Sequence, residues 1–280
     1  MIPAGPDLLI VGGLTVDRLA DGSTVAGGSV LHAARAVAAA GRRVATITVA
    51  GAEPQARSAL AELAALGPSR VTAVPSSIRF AIRHEGRDRR LVLEARGGNL
   101  PVTDGDFSAL DPRSTLLGPV AGELAAGAVQ AGADVPVRVA TLQGWLRHLV
   151  AGEAAGPLAL AALGADLSAA LGELDALVAS DEDLAAVAPR PRGQLEALRA
   201  HLGRRPLLVV TAGADGVWLD DPATGIHHLR VTQALDEAST IGAGDAFAGL
   251  LAVGLRNGLT ALDATAAGMD GAAAYLASRR

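Results

Sequence analysis

The chain of 280 residues contains no cysteine. That excludes a disulfide framework, a thiol nucleophile and a cysteine-based metal site. It contains no lysine either, since all 24 of its Lys-plus-Arg positions are arginine. This removes the P-loop lysine, the strand lysine of protein kinases and every Schiff-base mechanism. Any phosphate handled here must be held by backbone amides, arginine or a metal ion. Aromatic residues are scarce, with Phe80, Phe107, Phe247, Trp145, Trp218 and Tyr275 making up the whole set, so a pocket built on ring stacking has few candidates. Long apolar runs are missing: Leu8 to Val11 is too short for a signal peptide or membrane span, and Met1 to Asp7 lacks a basic region. The expectation is a cytoplasmic protein with no membrane partner. A net charge of −5 gives no electrostatic case for nucleic-acid binding.

What is present is apolar and rhythmic. Half the residues are hydrophobic, enough for a sizeable core. Strands are expected at Asp7–Gly13, Arg43–Ala50, Ser114–Pro119, Val135–Thr141, Asp175–Ser180 and Leu207–Ala212. Helices are expected at Gly28–Ala40, Glu53–Leu66, Gly122–Ala131, Leu158–Leu171, Gln194–Leu202, Asp245–Arg256 and Ala261–Ala277. Gly216–Leu219 and Ile226–Val231 read as a hairpin. Val71–Leu93 breaks the rhythm with strand-type alternation around Glu85-Gly86-Arg87-Asp88, a small antiparallel excursion with charge on both sides. Strands alternating with helices imply a mostly parallel sheet covered on both faces, with any site at the carboxyl ends of its strands.

The densest chemical signal is Ser239-Thr240-Ile241-Gly242-Ala243-Gly244-Asp245-Ala246-Phe247. Small residues run into a helix whose first N–H groups lack internal partners and carry the positive end of its dipole. An anion can approach such groups closely. A carboxylate beside that hole can take a proton from an alcohol while the hole steadies a phosphoryl group. The alternative is an aspartate that merely caps a helix.

Other segments weigh in the same direction. Val11-Gly12-Gly13-Leu14-Thr15-Val16-Asp17 with Gly27-Gly28-Ser29-Val30-Leu31-His32, Ala179-Ser180-Asp181-Glu182-Asp183, Val210-Thr211-Ala212-Gly213-Ala214-Asp215-Gly216-Val217, and the Gly242–Asp245 segment stand in this order along nearly the whole chain. Together they resemble the ribokinase-like (PfkB) family of sugar and nucleoside kinases. The resemblance implies a ribokinase-like α/β three-layer sandwich: one kinase domain over residues 1–280, with β-lid segments at about 15–25 and 71–96. It implies a magnesium-requiring, ATP-dependent transfer to a hydroxyl of a small sugar or polyol. A nucleoside acceptor and a non-catalytic sugar- or nucleotide-binding paralogue are the alternatives. Asp245 matches the catalytic base, and Gly242, Ala243 and Gly244 match the anion hole. A helix N-terminus is expected to lower the Asp245 pKa.

Thr211, Gly213 and Gly216 match the nucleotide-binding turn, although a plain strand-turn-strand also uses glycines. Ser180 and Asp183 stand where the family has Asn and Glu, in a motif tied to magnesium and phosphate. Any metal contact of Asp183 is expected to run through water, and a solvated acidic helix start is the other reading. Asp17 matches a substrate-hydroxyl aspartate, or is an exposed turn residue. Gly27 and Gly28 match the loop where sugar approaches backbone. His32 replaces the usual Asn and is either a substrate contact or a satisfied helix histidine. Ser239 and Ile241 depart from the family pattern, so potassium activation of the usual kind is not expected.

Leu117–Glu123 and Thr141–Arg147 resemble a compact subgroup that includes inositol-kinase-like proteins. Gln143 and Arg147 would face the cleft there, although Arg147 also reads as an ordinary exposed arginine. A homodimer through open lid edges is allowed, although Arg83, Arg87, Arg89 and Arg90 also suit a solvated lid. A nicotinamide-dependent dehydrogenase is disfavoured because Gly12–Asp17 does not supply Gly-x-Gly-x-x-Gly.

Overall fold

The computed structural model describes residues 5–85, 88–231 and 241–279. Its strands are β1 (Leu8–Gly13), β2 (Thr15–Arg18), β3 (Thr24–Gly27), β4 (Val44–Ala50), β5 (Ser69–Ala73), β6 (Ile78–Glu85), β7 (Asp88–Arg96), β8 (Thr115–Gly118), β9 (Arg138–Thr141), β10 (Arg147–His148), β11 (Gly156–Pro157), β12 (Ala176–Ser180), β13 (Leu207–Thr211), β14 (Val217–Asp221) and β15 (Gly225–Leu229). Its helices are α1 (Ser29–Ala39), α2 (Pro54–Leu66), α3 (Asp104–Leu110), α4 (Ala126–Gln130), α5 (Gly164–Gly172), α6 (Pro191–Leu202), α7 (Ala243–Arg256) and α8 (Ala261–Ala277).

The large sheet runs β15-β14-β13-β12-β9-β8-β1-β4-β5. Pairings from β13 through to β5 are parallel, and β14 and β15 add antiparallel strands at one edge. β1 and β4 are buried along their whole length because both faces of the sheet are covered. The pleat divides their side chains between two cores. Leu9, Val11 and Ile47 pack with Leu171, Leu195 and Leu198 on one face. Leu8 and Ile10 pack with Leu31, Val37, Phe247 and Leu276 on the other. The architecture is the α/β ribokinase-like sandwich, with the lid as a separate four-stranded sheet ordered β3-β2-β6-β7. No helix among the described residues is long and apolar enough to cross a membrane.

Three expectations change. Val71 lies in β5, parallel to β4 in the large sheet, so the lid hairpin starts only at Ile78. Five strand-type residues after a helix carry no signal that separates a sheet edge from a lid. The β6–β7 hairpin itself is antiparallel, as expected, and β2 joins it in parallel. The helix expected over Gly122–Ala131 shrinks to α4, because Gly122 turns with φ 74° and the Glu123 carboxylate takes the backbone N–H groups of Val120 and Ala121. Leu158–Leu171 divides at Gly164 (φ 68°) into a 3-10 turn and α5. Gly86, Arg87 and Ser239 lie outside the described residues.

The outer edge of β7 is not bare. Leu93 N–H donates to Glu153 O at 3.1 Å, Gly152 N–H to Leu93 O at 2.8 Å, and Ala155 N–H to Leu91 O at 2.7 Å. Residues 149–155 thus form a strap along the lid. Both ends of that strap join the short β10–β11 ribbon, which carries Arg147.

Candidate active site

The chain leaves β1 toward β4 and β5, and later returns through β8 toward β9, β12 and β13. The boundary between β1 and β8 is therefore the switch point where such sheets bind ligands. Helix α1 starts against it. Gly28 caps α1 with φ 94°, and a methyl group there would sit 2.3 Å from the Gly13 carbonyl oxygen. Only glycine permits both that conformation and that approach. The first residue of α1, Ser29, is fully buried. Gln143, just beyond β9, donates from Nε2 to Ser29 Oγ at 3.1 Å and to Asp245 Oδ1 at 3.2 Å.

Asp245 is the third residue of α7, after a Gly242 cap with φ 82°. The N–H groups of this first turn have no partner within the helix, so an anion set before α7 meets them together with the dipole. The Asp245 carboxyl is enclosed by protein although the residue keeps a partly exposed rim. Its pKa is raised, not lowered as expected from the helix terminus. Desolvation outweighs the opposing pull of the Ser29 hydroxyl, the Arg147 charge and the Gln143 amide, and the Asp183 charge adds to the rise. The sequence displays the helix terminus but not the enclosure. A carboxylate shifted this way is a stronger base for an alcohol proton.

Beside it lies a second acidic group. Asp183 is buried, with Arg147 Nε donating to Oδ1 at 2.7 Å and Ser180 Oγ to Oδ2 at 2.7 Å. Ser180 ends β12 at the carboxyl edge of the sheet. Arg147 stands in β10, not on a helix. Thr211 ends β13 next to Ser180 in register. The turn that follows exposes Gly213 and closes with Ala212 N–H donating to Gly216 O at 2.8 Å. Among the described residues no group of three or more His, Asp or Glu side chains is placed to hold a metal. Both Asp183 oxygens already accept hydrogen bonds. These donors fit magnesium that arrives on phosphate and keeps its waters, not a protein-built cage.

On the lid side, Asp17 of β2 accepts Thr15 Oγ1 at 2.8 Å and the Phe80 N–H at 3.2 Å. The β6–β7 register slips between Arg79 and Phe80, and an irregularity of this kind leaves an N–H for a side chain. A methyl group on Gly27 would stand 2.9 Å from Thr15 Oγ1, 3.0 Å from Asp17 Oδ2 and 3.7 Å from His32 Nε2. Gly27 is thus the floor on which three polar side chains converge. His32 touches the Gly242 turn as well, for a methyl group on Gly242 would lie 2.3 Å from its Cγ. The structure therefore joins the Asp17–Gly27–His32 group to Gly242–Asp245 through the histidine ring. Thr211, Gly213 and Gly216 stand further along the sheet edge, past Ser180.

Two residues escaped the sequence reading. Tyr275 of α8 meets His32 Nδ1 at 3.0 Å, a contact across 243 positions that carries no local signal. Glu123 is fully buried and accepts N–H bonds from Gly13 at 2.7 Å, Val120 at 3.0 Å and Ala121 at 2.8 Å. It ties the end of β1 to the loop after β8. Burial raises its pKa against those amides. Glu123→Gln turns an NH2 group toward backbone donors and is expected to cost roughly 2–4 kcal/mol through orphaned buried groups. Urea unfolding measures it, and a change under 1 kcal/mol, as an order of magnitude, would remove Glu123 as a tie.

The fold and this site define a phosphotransferase that works on alcohol groups. The chain belongs to the pfkB family of carbohydrate kinases, whose profile matches residues 9–279. Among solved structures it is similar to a pyrophosphate-dependent kinase in the ribokinase family complexed with a pyrophosphate analog and myo-inositol. That likeness has 16% identity, coverage of 96% of this chain and 94% of the other, and a TM-score of 0.79. It is also similar to ribokinase from Arabidopsis thaliana complexed with ribose and ATP, at 15% identity, 97% and 91% coverage and a TM-score of 0.70. A putative ribokinase from Agrobacterium tumefaciens shares 20% identity over 94% and 88% of the two chains, with a TM-score of 0.69. At these identities the likeness speaks to the fold. No curated protein matches the chain.

Proposed function

We propose that this kinase transfers the terminal phosphoryl group of ATP to a hydroxyl of a small sugar or polyol of inositol, pentose or hexose type. The observation that carries the reading is the junction of Asp245 at the N-terminus of its helix, the Ser29–Gln143 clamp and the adjoining Asp17–Gly27–His32 pocket. Asp17 and His32 orient the acceptor. Asp245, held by Gln143, takes the hydroxyl proton as the new O–P bond forms. The amides of Gly242, Ala243 and Gly244 steady the charge on the transferring group. Magnesium bound to the donor would neutralise phosphate charge, with Asp183 reaching it through water. Thr211, Gly213, Gly216 and Ser180 line the donor side, and the lid keeps water from competing as acceptor. Scarce aromatics favour sugar or polyol over nucleoside.

Pyrophosphate is the second donor reading. Its specific support is Arg147, which holds Asp183 and whose charge acts on Asp245, together with the likeness to a pyrophosphate-dependent kinase. The test follows acceptor-dependent consumption of ATP or pyrophosphate over a panel of inositols, pentoses, hexoses and nucleosides. Absence of turnover with either donor, while donor still binds, would favour the binding-paralogue reading.

Arg147 has its own prediction. The Arg147 and Asp183 side chains are only 16% and 6% exposed, so Arg147→Met strands a buried carboxylate and should cost about 3–5 kcal/mol. Adding Asp183→Asn should restore most of that stability. Turnover should stay down by about 10²-fold in the double variant, the scale of one lost electrostatic group in a transition state. Thermal melts and kcat on the same samples separate the two roles; recovery of kcat with stability would reduce the pair to a structural one.

A further inference from the structure

A chain of polar contacts runs from the protein surface to the lid-side pocket. Glu62 of α2 takes Arg35 of α1 at two points, from Nε and Nη2, both at 2.6 Å. The same guanidinium reaches the Tyr275 hydroxyl. That hydroxyl stands 3.0 Å from His32 Nδ1, and the two rings meet edge to face at 6.3 Å. A guanidinium only donates, so toward Arg35 the Tyr275 oxygen is an acceptor. The ring nitrogen on the Gly27 side looks toward the Asp17 carboxylate, which only accepts, so the imidazole proton belongs there and the Tyr275 hydroxyl donates to His32 Nδ1. Nδ1, as acceptor, carries no hydrogen. His32 is neutral: burial first, then the Arg279 and Arg35 charges, push its pKa down to about 3. A neutral imidazole holds one proton, which must sit on Nε2. Nε2 lies on the Gly27 side, beside Thr15 Oγ1 and Asp17 Oδ2.

We propose that Arg35 and Tyr275 lock His32 in its Nε2–H tautomer, so that the acceptor pocket sets one fixed donor beside one fixed acceptor, the Asp17 carboxylate. The proposal rests on the reading of this pocket as the acceptor site. Such a pair selects a vicinal diol. One hydroxyl donates to Asp17 and its neighbour accepts from His32. An asparagine at this position could flip its amide and serve either sense; a locked imidazole cannot. An acceptor whose second oxygen is replaced by an ammonium group would bring donor against donor and be rejected more strongly than the plain deoxy compound. Tyr275 and Arg35 act only through His32 and are positioning residues.

The test reads the imidazole nitrogens of histidine-labelled protein by NMR, with the His32 signals identified by their loss in His32→Asn. In the wild-type protein Nε2 should be protonated and Nδ1 bare. Tyr275→Phe removes the hydroxyl and should give a mixture of tautomers. It should also raise the acceptor KM by up to about tenfold, the scale of one hydrogen bond, with little change in kcat or in the donor KM. Arg35→Met should move the tautomer in the same direction and serves if Tyr275→Phe folds poorly. A proton on Nδ1 in the wild-type protein, or a tautomer unmoved in both variants, overturns the lock. A tautomer that moves while acceptor KM stays fixed overturns the role in selectivity. Failure of the kinase reading appears separately, as no turnover by the wild-type protein, because the tautomer is read without substrate.

Discussion

Asp245→Asn is expected to lower turnover by about 10³-fold, within the range of a lost general base, and to leave the protein folded. Asparagine keeps the shape and an oxygen for the Gln143 amide, so the clamp at 3.2 Å survives. It removes a charge whose desolvation exceeds the help from Ser29, Arg147 and Gln143, so the melting temperature should hold or rise. The wild-type rate should fall on acidification at a pH above the ordinary aspartate value of 3.8, because the base must be ionised and its pKa is raised. Linkage gives the companion sign. In the folded protein Asp245 binds its proton more tightly than in the unfolded chain. Its contribution to stability is therefore largest at low pH and is lost as pH rises across the interval from the ordinary to the raised pKa. The asparagine variant lacks that component. Rates and melts over pH, on both proteins, measure all three effects; activity within tenfold of wild type would remove Asp245 as the base.

Gly242→Ala is expected to lower kcat by about 10²–10³-fold, the scale of a lost oxyanion-type donor. At φ 82° an alanine pays about 1–2 kcal/mol in left-handed strain. Its methyl group would also lie 2.3 Å from Cγ and 2.4 Å from Nδ1 of the buried His32 ring. The ring is held by Tyr275, so the start of α7 must move, and the amides lose their aim. Gly244 supplies the contrast. A methyl group there meets nothing within 4 Å, so Gly244→Ala should leave stability unchanged. Steady-state kinetics and thermal melts on the two alanine variants decide it: wild-type kcat in Gly242→Ala would show that the anion hole does not depend on this turn.

Much of this architecture was legible along the chain. Continuous apolar runs such as Leu8–Val11 and Leu207–Val210 announce strands covered on both faces, and α1, α2, α7 and α8 begin and end within two residues of where their periodicity and glycines put them. Asp245, Gly242 and the residues around Gly27 were legible because small residues beside a carboxylate leave a local mark. The failures have one physical origin, side chains that satisfy backbone or one another at a distance. Glu123 replaces a helical turn with side-chain-to-backbone bonds that no periodicity records. The raised pKa of Asp245 comes from burial, which outweighs the opposing pull of Ser29, Gln143 and Arg147, groups that stand 216, 102 and 98 positions away along the sequence. Arg147 and Asp183 gave ambiguous signals singly, and only folding makes them a pair. Tyr275 looks like a core aromatic of the last helix until its hydroxyl is seen against His32.

The strap along β7 gives the lid a character that its strand order alone does not. Its backbone bonds to Leu91 and Leu93 occupy the outer rim of that sheet, so another chain seeking to extend the lid by strand pairing would find its opening at the short β3 rim instead. The strap also issues from the ribbon that holds Arg147 against Asp183. A lid harnessed in this way behaves less as a loose flap than as one arm of a lever. Any displacement of β7 is therefore passed through residues 149–155 to the ribbon that holds Arg147 against Asp183.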